Sequence, residues 1–165
     1  MLFRAQKGVF PLRADVKHLL DELIGLHRNK LELVTTLHRH SVALSSYTIS
    51  GDMSASDDLL SEDVFLTAKA DLIDFKIATL KSKLCILTGM EPEQLEAYLV
   101  KNCTEGKQLK AVRKEIQSVL SDAYMERMRL HTVMDKEISD IKKNIAELSA
   151  MQKVRKYAPD CSPLL

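Results

Sequence analysis

The chain has 165 residues, 45% of them apolar and 28% charged, and a formal net charge of +1. That size and apolar content suit one folded domain with a sizeable core and exclude a chain disordered throughout. The near-neutral balance excludes a strong global field that would draw the protein to nucleic acid or to an anionic lipid surface.

Only five glycines and four prolines are present, and there is no tryptophan, a composition that suits long helices better than many strands and turns. Cys85, Cys103 and Cys161 are an odd, widely spaced set without a C-x-x-C pair, which argues against a disulfide framework or a zinc site. Reduced thiols in a cytoplasm follow, with Cys85 in the core. No apolar run approaches the roughly 20 residues a membrane span needs, so no stable membrane insertion is expected. The first residues carry Arg4 and Lys7 but no continuous apolar stretch and no small-residue cleavage site. Residues 1–12 therefore read as a loosely ordered leader rather than a secretory signal.

Pro11 precedes the first helical pattern. Val16, Leu19, Leu23, Leu26, Lys30, Leu33, Leu37, His40, Leu44 and Tyr47 follow one another in steps of three and four. That spacing keeps them on one face, and Leu20, Ile24, Leu31 and Val34 widen the stripe. It predicts a helix over about 13–48, roughly 50 Å long at 1.5 Å per residue, which needs a partner of similar length. Next comes "SGDMSASDDLLSED" at 50–63. Heptads of matching step flank it, so it reads as a hairpin corner rather than a domain linker. Gly51 permits the turn, and Ser54, Ser56 or Asp57 is expected to cap the helix that follows.

The second helix repeats the pattern in Leu59, Asp63, Leu66, Ala70, Ile73, Ile77, Leu80, Leu84 and Leu87. Asp63, its one polar member, is explained by the positive end of the helix dipole. Gly89 closes this helix. "MEPEQLEAYLVKN" reads as a short helix with Pro92 in its first turn, and Leu95, Tyr98 and Leu99 as its apolar side. "CTEG" breaks it, with Thr104 as the expected cap of a last helix over about 105–157. In that helix Leu109, Val112 and Ile116 set one register, and Leu120 and Tyr124 continue in fours. Arg127, His131, Met134, Ile138, Ile141, Ile145 and Leu148 then resume the three-four alternation. A run of fours locally unwinds a coiled coil and predicts a bend or a change of packing partner near 116–124. Lys153, Arg155 and Lys156 crowd the end, and residues 159–165 form a short tail. The fold expected is all-α: an antiparallel, coiled-coil-like bundle of three long helices plus one short helix. Residues 13–158 form its single domain.

Catalytic chemistry is sparse, so an enzyme, a metal site or a cofactor is not expected. Ferritin-like sites need Glu-x-x-His pairs, and none of His18, His27, His38, His40 or His131 sits in one. His38 and His40 point to opposite sides of a helix. His131 and Asp135, four apart, suit a surface pair. There is no nucleophile elbow and no glycine-rich phosphate loop. Met125, Met128, Met134 and Met151 lie among Ile and Leu in the last helix. Methionine suits surfaces that adapt to varied apolar partners and also fills gaps in cores. Met134 reads as core, and the other three stay open.

Several stretches together resemble the FlgN family of flagellar type III export chaperones. "LLDELIGLHRNKLELVTTL" is similar to the family's opening helix. "SGDMSASDDLLSEDVFLTAKADLIDFKIATLKSKL" is similar to its central segment, a Gly-Asp turn and a helix that begins acidic and ends basic. "MEPEQLEAYL" resembles the short insert, and "LKAVRKEIQSVLSDAYMERMRLHTVMDKEISDIKKNIAEL" the last long helix, with a tyrosine following in "RKYAPDC". The resemblance covers about 15–160. It implies a cytoplasmic chaperone that binds hook-associated, hook–filament junction proteins and brings them to the flagellar export gate. The implied substrate-binding residues are Leu130, Met134, Ile138, Ile141, Ile145 and Leu148, with Tyr157 for docking at the gate. A monomer or homodimer is expected. Two other readings stand beside it: a structural adaptor with a permanent partner, and a histidine phosphotransfer bundle. The second lacks the local pattern around a phosphorylated histidine.

Overall fold

The computed structural model describes residues 13–157, and side chains as far as Lys153. The chain is an all-α helical bundle with no strand among the described residues. In order come α1 (Ala14–Ser50), α2 (Met53–Thr88), α3 (Pro92–Asn102) and α4 (Thr104–Tyr157). The expected leader and tail lie outside the described residues. The chain divides into two compact units between Tyr124 and Met125.

In the first unit α1 and α2 form a hairpin. Gly51 turns the corner in the left-handed region, at φ 75°, where a side chain would be strained. The Gly51 N–H donates to the Thr48 carbonyl and the Asp52 N–H to that of Tyr47. The cap of α2 is Asp52, whose carboxylate accepts from the Ala55 N–H at 3.1 Å. This corrects the expectation of Ser54, Ser56 or Asp57. The helix starts early enough to place Ser56 inside its buried face. Gly89 ends α2, also left-handed, at φ 64°.

The expected α2 line holds through Leu84. Asp63, Leu66, Ile77, Leu80 and Leu84 are buried, while Leu87 is exposed. The α1 stripe holds at Val16, Leu20, Leu23, Ile24, Val34 and Leu44 and is corrected at His27 and Ser41. Its buried members are Val16, Leu20, Leu23, Ile24, His27, Val34, Ser41 and Leu44. Leu33, Leu37, His40 and Tyr47 are only half-buried. The core line runs through His27 and Ser41, which counting leucines passes over. Both are tolerated inside because their polar atoms bond the helix's own carbonyls. His27 Nδ1 lies 2.9 Å from the Leu23 carbonyl oxygen, and the Ser41 hydroxyl donates to Leu37 at 2.9 Å.

The largest apolar cluster lies at the base of the hairpin, away from the Gly51 corner. Val16, Leu20, Leu23 and Ile24 meet Ile77, Leu80 and Leu84 there, with Leu95 and Leu99 of α3 and Leu109 of α4. Burying each such side chain contributes about 1.5–3 kcal/mol. Pro92 occupies the first turn of α3, as expected. Between α3 and α4 the turn is sharp. The Cys103 thiol donates to the Leu99 carbonyl at 3.1 Å and accepts from the Gly106 N–H at 3.3 Å. Cys103 rather than Thr104 therefore covers the start of α4.

Near the corner, Asp63 is buried and His40 Nδ1 stands 2.7 Å from its carboxylate. Asp63 is thus half of a polar contact inside the hairpin. It sits ten residues beyond the helix start, too far in for the dipole reading, because that effect is confined to the first turn. Among the described residues no buried side-chain polar atom lacks a partner.

Candidate functional site

Three places in the molecule gather chemistry or exposed apolar surface. The first lies where α2, α3 and α4 meet, a cavity of about 130 Å³. Leu23, Leu84, Cys85, Leu95, Leu99 and Leu109 line it, and Lys81, Glu96, Lys110 and Arg113 complete the wall. Arg113 holds Glu96 at 2.5 Å, and that bond keeps the Glu96 carboxyl below its usual range. Burial, together with Arg113 nearby, pushes the Lys81 ammonium below its ordinary value. Burial likewise lowers His27, against the opposing bond to Leu23. Beside Lys81 and His27, Lys30 binds both oxygens of Asp74, at 2.6 and 2.7 Å. The mix of balanced charges and core leucines supplies packing and ion pairs, with no nucleophile beside a base.

The second place is the outer side of α2. Leu60, Val64, Leu72, Phe75 and Ile86 are all exposed. Phe65 is exposed as well and carries the Lys69 ammonium 4.4 Å from its ring centre. The sequence reading missed this side, because it followed one stripe per helix. The two phenylalanines off the counted line, Phe65 and Phe75, were the available signal.

The third place is the part of α4 in the second unit. Every described side chain from His131 to Lys153 is exposed. Ile138, Ile141, Ile145 and Leu148 recur in steps of three and four, so they form one continuous apolar face. Exposure along this face rises from 43% at Met134 to 61% at Leu148. Leu130 is half-buried. Met134 is therefore not core, contrary to the sequence reading, and Met125, Met128 and Met151 are exposed with it. The helix continues past the run of fours, but burial does not: among the described residues Ile116 is its last buried one. A change of surroundings in 116–124 was the expectation from the spacing. His131 and Asp135 form the anticipated surface pair, 3.5 Å apart and both well exposed. Tyr157 closes α4, and its side chain lies outside the described residues.

Among the described residues no group of histidine, cysteine and acidic side chains is placed to hold a metal ion. No helix among them is long and apolar enough to cross a membrane. Compared with family models, curated proteins and solved structures, the chain matches none of them.

Proposed function

We propose that the chain is an export chaperone of the FlgN kind. It holds an amphipathic helix of a hook–filament junction protein in the cytoplasm and delivers it to the flagellar export gate. One observation carries the reading: the apolar face from Met134 to Leu148 is exposed along its whole length on a regular helix. A soluble helix does not keep so long an apolar stripe without something to cover it, and a partner helix laid along it completes the packing. Leu130, Met134, Ile138, Ile141, Ile145 and Leu148 would make that contact, and Tyr157 would dock the loaded complex. Capture works by mass action, since binding lowers the free concentration of an aggregation-prone segment until handover.

The same face suits a structural adaptor with a permanent partner, which would purify with that partner in stoichiometric amount. The test is a pulldown of a co-expressed junction protein by the full chain. Ile138→Asp with Ile145→Asp should abolish capture and leave the helical circular-dichroism signal in place. Undiminished capture by that variant would overturn the assignment.

A further inference from the structure

The three-four alternation of the second unit carries more than an apolar stripe. Written as a heptad, His131, Ile138 and Ile145 occupy the a positions, and Met134, Ile141 and Leu148 the d positions. Isoleucine at a with Leu148 at d follows the two-stranded preference, whereas Ile141 at d leans toward higher-order bundles, so the core alone does not set the number of strands. The positions beside the seam decide what the second strand is. Glu137 lies at g and Lys142 at the following e. In a parallel, in-register pair each g residue faces the partner's next e residue. Glu137 then meets Lys142 of an identical strand, twice across the two-fold axis. The other facing pairs, Leu130 with Asp135 and Asn144 with Ser149, contain no like charges.

The layers agree. A parallel pair stacks isoleucine on isoleucine at three levels and sets His131 against His131. An antiparallel pair that sets Ile138 against Ile141 would place His131 opposite Leu148, pairing a polar ring with an apolar side chain at both ends. Within one helix, Glu137 and Lys142 are five residues apart and do not face each other. Their complementarity is therefore idle in a monomer and used in a pair.

We infer that a second copy of this chain covers the α4 seam, through a parallel two-stranded coiled coil over 131–152. The inference rests on the same exposed face as the capture reading and supplies its resting partner. A substrate helix must displace the second copy, so the pair guards the seam until a substrate arrives, and capture is coupled to dissociation.

The experiment is the molar mass of the full chain by sedimentation equilibrium, from about 1 to about 100 µM, since self-association is read by mass action. The mass should double with concentration, and Ile141→Asp should stay at the monomer value. Glu137→Lys and Lys142→Glu, each alone, should raise the dissociation constant about fivefold by setting like charges across the seam. The double swap Glu137→Lys/Lys142→Glu should restore it to within about twofold. A monomer throughout the range overturns the inference. So does a dimer that survives Ile141→Asp, because the contact then lies elsewhere. A double swap that stays weak overturns the parallel register, as expected of an antiparallel pair in which Lys142 meets Asp135. None of these results depends on a junction protein. Pulldown failure with an intact dimer would therefore sink the chaperone reading alone, and capture by a monomer would sink this one alone.

Discussion

At the scale of single residues, the hairpin tolerates buried polar groups by giving each a near neighbour. His27 shows the consequence for stability. Its ring is buried and bonded to the Leu23 carbonyl, and burial holds its pKa below the ordinary 6.5. The unfolded chain therefore takes up a proton at a pH where folded His27 remains neutral. Below about pH 6.5 the unfolded state binds more protons than the folded one, so stability falls as the pH drops. His27→Gln keeps an amide near the same carbonyl and removes the titration. The urea midpoint of the wild type should decline from about pH 7 to about pH 5, and that of His27→Gln should decline less. Equal slopes would show that His27 is not the group responsible. His40 and Asp63 belong to the same class of contact, and neither partner's role was visible in a pattern that scores residues only as apolar or polar.

Individual elements were legible to different degrees, for physical reasons. α2 and α3 were read closely because Gly51, Gly89 and Pro92 mark their ends and because the counted line of α2 already included its buried Asp63. In α1 the stripe as read held Val16, Leu20, Leu23, Ile24, Val34 and Leu44 but missed His27 and Ser41, because a pattern of apolar residues passes over polar ones. In α4 the apolar period was plain, but a period says that a face will be covered, not by what. One feature of element packing left no pattern at all. Gly106 is the point where α4 crosses α3, and a Cβ built there would overlap the Leu99 carbonyl carbon and oxygen. Both are backbone atoms that cannot swing aside. Gly106→Ala should therefore destabilise the chain by about 1–3 kcal/mol, as overpacked sites do, although alanine is the better helix former by up to about 1 kcal/mol. The check is the urea midpoint. A neutral or stabilising result would mean that the α3–α4 contact yields without cost.

The whole molecule separates packing from exposure along one continuous helix. Every buried residue among those described belongs to the stretch up to Ile116, within the first unit, and every described side chain from His131 to Lys153 is exposed. The first unit should then contain the entire cooperative transition. A chain ending at Tyr124 keeps Leu109 and Ile116, the two buried apolar side chains that α4 contributes. Its urea midpoint at low protein concentration should match that of the full chain to within about 0.5 kcal/mol, the range of changes away from the core. Helical signal should fall, because the removed residues as far as Tyr157 are helical and the described ones among them add no core. As a separate peptide the removed segment should be only marginally helical when dilute. Its described interior holds no buried side chain, and isolated helices owe their persistence to tertiary packing. Raising the peptide concentration should restore the helix if a second copy covers the seam, and a junction-protein helix should restore it if the capture reading holds. A truncated chain that loses its sharp unfolding transition would show that α4 beyond Tyr124 supports the hairpin, and the division between folding unit and binding segment would then fail.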